Sequence, residues 1–175
     1  MEFERKYQRL ADMAAPRLID VKLNMDLYPA EREYKAALKM VYVNRTDQPI
    51  DTLFMFHGDN IVSEKFSLSN KLVVNDTVLH VKIYALSEPM QPLDSMFMDF
   101  TFANEANTFL ADKSPVLANG TFLNSSMFPS FAYDKRFEIA DNSIRKKYGL
   151  PVKDRLPDAT DLNARGNNYI SQDAD

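Results

Sequence analysis

The stretch Val21 to Val43, VKLNMDLYPAEREYKAALKMVYV, decides the fold class. Val21, Leu23, Met25 and Leu27 alternate with Lys22, Asn24 and Asp26, and this period of two gives an extended strand one face to bury and one to hydrate. Tyr28-Pro29 ends the run, and Ala30 to Glu33 is turn-like and charged. Tyr34, Ala36, Leu38, Met40 and Tyr42 then repeat the alternation up to the polar Asn44-Arg45-Thr46-Asp47. The Ala, Glu, Lys and Leu content of Ala30 to Val43 would also suit a helix, but β-branched Val41 and Val43 and the alternation favour a strand. The two runs predict a β-hairpin.

The same signal continues along the chain. Ile50 to Phe56, Ile61 to Leu68 and Val78 to Leu86 read as strands, with Ser69-Asn70 and Asn75-Asp76 as turn signals, in the manner of a meander. Pro89 and Pro92 mark a loop before Met96, Met98, Phe100 and Phe102, the most apolar strand and the one expected at the centre. Short strands punctuated by Pro, Asn, Asp and Ser argue for an all-β, mostly antiparallel β-sandwich, because a parallel sheet would need crossover helices. Thr121 to Phe131 reads equally as a strand or as an aromatic loop. Phe3, Tyr7 and Leu10 recur at helical spacing in Glu2 to Met13, ahead of Pro16. Asn142 to Tyr148 reads as a helix capped at Asp141 or Asn142 and stopped by Gly149-Leu150-Pro151. Beyond it the chain is polar and aperiodic. The expected organisation is an N-terminal helix or arm over 1–17, a sandwich over 18–137, and a short helix with an extended connector over 138–175.

Composition narrows the function. The chain has 175 residues, 45% hydrophobic and 26% charged, which is the balance of one folded domain. A net charge of −4 with mixed signs offers no basic footprint for nucleic acid. Cysteine is absent, which excludes disulfides and thiolate chemistry, and no signal peptide or long apolar span is evident. A protein working outside the cytoplasm would therefore need a further segment to carry it there.

Catalytic sets are not evident either. A zinc hydrolase needs three protein ligands around an open position, and His57 and His80 are the only histidines, on different predicted strands. No Gly-x-Ser-x-Gly elbow occurs, and Gly58, Gly120, Gly149 and Gly166 are too scattered to cradle phosphate. Asp94, Asp99, Glu105 and Asp112 lie near the apolar strand and could form a carboxylate pair only if the fold brought them together. Asn44, Asn75, Asn119 and Asn124 begin glycosylation-type triplets that read as turn chemistry. Met96 to Phe102, with Phe122, Met127, Phe128 and Phe131, reads as sandwich core ahead of a docking patch.

Residues Ile19 to Met55, with their two alternating strands, polar turn and following apolar strand, resemble the opening strands of the N-terminal saddle-like β-domain of zinc aminopeptidases related to aminopeptidase N. RKKYGLPVKDRLPD, Arg145 to Asp158, and NNYISQDAD, Asn167 to Asp175, look like the connector after that domain in a Bacteroidetes subgroup fused to an ABC transporter permease. The family's Gly-Ala-Met-Glu-Asn motif, its His-Glu-x-x-His helix and its downstream Glu do not occur, so no catalytic, cofactor or metal residue carries over. The resemblance implies a non-catalytic structural domain, with no cofactor of its own, that shapes and covers the active site of a zinc-bearing catalytic domain following Asp175. That domain of the same parent chain is the implied partner, and peptides are the implied substrate of a parent held in the bacterial inner membrane with this part on the periplasmic side. The alternative is a stand-alone envelope module binding carbohydrate or protein through exposed aromatics, for which Tyr28, Tyr84, Phe128 and Tyr133 are the candidates. An enzyme with a dispersed carboxylate site is the third reading.

Overall fold

In the computed structural model, residues 2–58, 61–104, 115–117, 120–122 and 128–153 are described. The predicted hairpin is formed by β1 (Arg17–Tyr28) and β2 (Glu33–Val43), antiparallel, with Leu23 opposite Leu38 and Met25 opposite Ala36. Five further strands complete the sandwich: β3 (Ile50–Phe56), β4 (Ile61–Phe66), β5 (Asn70–Asp76), β6 (Val81–Met90) and β7 (Ser95–Asn104). They form a four-stranded sheet in the order β1-β2-β7-β4 and a three-stranded sheet in the order β3-β6-β5, with a small hairpin of β8 (Val116–Leu117) and β9 (Gly120–Thr121) apart from both.

The chain does not run as a meander. It passes from one sheet to the other after β2, β3, β4 and β6, so only β1-β2 and β5-β6 are sequential neighbours within the two sheets. Several strand assignments also differ from the sequence reading: β1 starts at Arg17, β4 stops at Phe66, β6 runs Val81–Met90, and β5 has no counterpart in it. Lys71 to Val74 forms most of β5, hidden in the sequence because Asn70 and Asn75 look like turn residues and a bulge between Leu72 and Val74 breaks the alternation. Pro89 lies inside β6, where an irregular register separates the pairing of Ile50 with Met90 from the rest of the ladder.

The apolar β7 is central, as its sequence implies. Met96, Met98, Phe100 and Phe102 lie opposite Tyr42, Met40, Leu38 and Ala36 of β2, all buried, and they pack on Leu53, Met55, Tyr84 and Leu86 of the other sheet. Full burial of each such side chain contributes about 1.5–3 kcal/mol, which makes this layer the main stabilising term.

β1 departs from its pattern. Its apolar phase points to the same side as that of β2, yet Val21, Leu23 and Leu27 are 37%, 45% and 42% exposed, and only Met25 packs partly on the core. β1 is an edge strand, and the facing sheet is one strand narrower. Alternation aims a side chain; coverage depends on what lies opposite.

The N-terminal segment builds a second apolar layer. Helix α1 (Glu2–Tyr7) sets Phe3 and Tyr7 against Phe54 and Val81 on the outer face of the three-stranded sheet, with Leu10, Met13 and Tyr133 around them. Tyr7 Oη and Lys6 Nζ donate to Asp76 Oδ2 at 2.8 and 2.5 Å. Helix α2 (Asn142–Lys147) starts where the sequence places it: Asp141 accepts from the N–H groups of Ser143 and Ile144. Gly149, at φ 68°, ends it, with Leu150 N–H bonded to Arg145 C=O. Arg145 and Glu4, both buried, join α2 to α1 through a 2.7 Å ion pair.

Candidate functional site

The four aromatic candidates do not share a surface. Tyr28, at the end of β1, is 40% exposed, whereas Tyr84 is buried between the sheets because its phase on β6 points inward. Phe128 packs partly on the core beside Phe102, and Tyr133 stacks on Phe3 at 5.0 Å in the second layer. Burial as the largest cause, with the Glu138 and Glu4 charges adding to it, raises the Tyr133 phenol well above its usual range. The exposed aromatic row expected from these residues is therefore corrected: only Tyr28 stands in the open.

Tyr84 instead belongs to a polar cluster between the sheets. Glu64 of β4 accepts at Oε1 from Tyr84 Oη, and from Lys82 Nζ at 2.6 Å, so one carboxylate ties the four-stranded sheet to β6 of the other. Lys82, Tyr84 and Leu86 share the inward phase of β6, and Glu64 takes the inward phase of β4 opposite Phe100. Burial, then the bond to Glu64, keeps the Tyr84 phenol protonated far above its ordinary range. A carboxylate already held by an ammonium and a phenol is a tie between layers rather than a free base.

His57 lies at the end of β3, 8% exposed, with His80 edge-on at 5.8 Å between ring centres. Its Nδ1 lies 2.7 Å from the Gly58 carbonyl oxygen, which assigns the proton to Nδ1 and leaves a buried lone pair on Nε2. Burial, as the largest cause, lowers the His57 pKa and holds the ring neutral. The two histidines come together in space, which their separation in sequence did not indicate. Among the described residues no group of three His, Cys, Asp or Glu side chains is arranged to hold a metal.

Of the carboxylates near β7, Asp94 and Asp99 lie among the described residues and serve local structure. Asp94 accepts from Gln91 N–H at 2.7 Å, and Asp99 stands between Lys39 and Lys65 in cross-strand register. Glu105, Asp112, Met127, Asn119, Asn124 and the connector from 154 to 175 lie outside the described residues.

The turn after β2 is built around one side chain. Asn44 is fully buried; its amide donates to the carbonyls of Gln48 and Met90 at 2.8 and 2.9 Å, and its Oδ1 accepts from Thr46 N–H and Oγ1. Met90 lies 46 residues away in β6, so Asn44 fastens the sheet-to-sheet crossing to the far end of the neighbouring ladder. Among the described residues no helix is long and apolar enough to cross a membrane.

No protein-family model matches the chain, and no curated protein matches it. Among solved structures, the chain is similar to an M1 zinc metallopeptidase from Deinococcus radiodurans, at 11% identity and a TM-score of 0.40, covering 53% of this chain and 21% of that one. A mutant of an M1 zinc metallopeptidase from the same organism, bound to a Tyr-Ser-Ala substrate, aligns at 12% identity and a TM-score of 0.40, covering 55% and 23%. The chain thus spans about a fifth of the length of these neighbours.

Proposed function

We propose that this chain is the non-catalytic N-terminal β-domain of a membrane-tethered zinc aminopeptidase-like protein, which covers one side of a catalytic domain in the same parent chain and narrows the approach to it. The observation that carries the reading is the build of 19–55, the stretch that resembles the opening of such domains. Its two alternating runs pair as a hairpin, its polar turn is held by Asn44, and its apolar run crosses to the second sheet. In this reading zinc and peptide belong to the catalytic domain, and the work of this chain is mechanical: a rigid wall made of two packed sheets. The parent would sit in the bacterial inner membrane, as a permease fusion, with this domain on the periplasmic side.

The test is to sequence the parent gene on both sides of this segment, then to express the downstream region and measure its binding to this chain. A downstream His-Glu-x-x-His helix, membrane spans in the same reading frame and a stable complex are expected. A gene with neither helix nor spans overturns the reading and favours a stand-alone envelope binding module.

A further inference from the structure

We infer that the free edge of β1 is a self-association surface, which takes the β1 strand of a second copy in antiparallel register centred on Asn24. The inference stands on the strand itself and does not depend on the peptidase reading. Among the described residues β1 pairs only with β2, so one row of its N–H and C=O groups has no strand beside it.

Among the described residues, the four edges of the two larger sheets are not equivalent. The ladders of β3, β4 and β5 are short and interrupted by register shifts at Ile50/Thr52, Ile61/Ser63 and Leu72/Val74, the features that discourage edge pairing. β1 has its only shift at its start, between Leu18 and Asp20, and runs unbroken from Asp20 to Tyr28 without a proline. A strand this long and regular, flanked by the exposed Val21, Leu23 and Leu27, is a template for a further strand.

The occupant follows from symmetry and charge. Asn24 is the midpoint of the unbroken run, and a two-fold axis there lets a second β1 use the whole of it. That register sets Lys22 opposite Asp26 of the second copy, and Asp26 opposite Lys22, so both charge pairs are attractive. Val21 then meets Leu27, and Leu23 meets Met25, on the apolar side. Moving the axis to Leu23 would set Asp20 against Asp26, and moving it to Lys22 would set two lysines face to face. Like charges directly opposite are destabilising and unlike ones favourable; an axis at Met25 sets no charges against each other, so among axes near the middle of the run the one at Asn24, with two attractive pairs, is favoured.

The experiment uses the whole chain and reads mass by sedimentation across its soluble concentration range. A monomer–dimer equilibrium is expected. Lys22→Asp and Asp26→Lys each turn two attractive pairs into two repulsive ones and weaken the dimer by about tenfold or more. Mixing the two variants restores the pairing between unlike chains, a result that misfolded variants would not give. The chain has no cysteine, so Asn24→Cys should form a disulfide-linked dimer on oxidation. Lys22→Cys should not, because its counterpart lies four residues away along the strand, about 13 Å. A chain that stays monomeric throughout overturns the inference, as does a dimer insensitive to both reversals or Asn24→Cys that fails to crosslink.

Discussion

Replacing Arg145 by methionine tests whether the buried pair with Glu4 holds helices α1 and α2 together against the sandwich. Arg145 is 2% exposed and Glu4 is fully buried, and Arg145 also donates from Nε to Pro151 C=O at 2.6 Å and from Nη1 to Ile139 C=O at 2.9 Å. Glu4 Oε2 accepts from Ile139 N–H at 3.0 Å. The substitution keeps most of the volume but leaves a carboxylate without its counter-charge and two carbonyls without their donor. Stranding a buried charge costs about 3–5 kcal/mol, a large share of a total stability of about 5–15 kcal/mol. With a urea m-value of about 2 kcal/mol/M, the midpoint of unfolding should fall by about 2 M. Glu4→Gln should cost a similar amount, since it leaves the guanidinium charge in place. In the double variant the charges vanish together, so its loss should fall short of the summed single losses by about 2 kcal/mol. Equilibrium urea unfolding followed by circular dichroism measures all three. A loss below about 1 kcal/mol for Arg145→Met, or strict additivity in the double variant, would refute the claim that this pair secures the N-terminal layer.

Other outcomes follow from the same contacts. The Lys6 ammonium first, then Leu79 N–H and Tyr7 Oη, hold the Asp76 carboxyl well below the usual carboxylate range. Its stabilising share is therefore present above the unfolded value of about 3.9 and is lost as pH falls below it, so Asp76→Asn should flatten the acid limb of a stability profile measured by thermal unfolding. His57 is held neutral by burial, with its pKa lowered; stability linked to it is present above about pH 6.5 and declines as pH falls, and His57→Gln should remove that slope between about pH 7 and 5. Tyr84→Phe leaves Glu64 with Lys82 alone and should cost about 1–2 kcal/mol in urea unfolding, with no change in fold by circular dichroism. Met98→Ala, at the centre of β7 and 1% exposed, should cost about 2–5 kcal/mol by the same assay.

The class of fold was legible in the period-two pattern, because side chains of an extended chain must alternate and a sandwich needs one apolar phase per strand. Val21 to Val43 showed the hairpin, Met96 to Phe102 showed the central strand, and Asp141 and Gly149 marked the ends of the last helix, since these signals are local. Three things were decided only by packing. The order of strands depends on which edges meet after the chain changes sheets, and that choice is made by contacts far apart in sequence. Burial of the β1 stripe depends on the width of the opposite sheet, so a run with clear alternation was left in the open. Polar residues acquired roles from partners on other strands: Glu64 from Lys82 and Tyr84, Glu4 from Arg145, Asn44 from Met90. A sequence states which face a side chain takes; the tertiary structure states what stands before it, because coverage and pairing arise from neighbours that no local window contains.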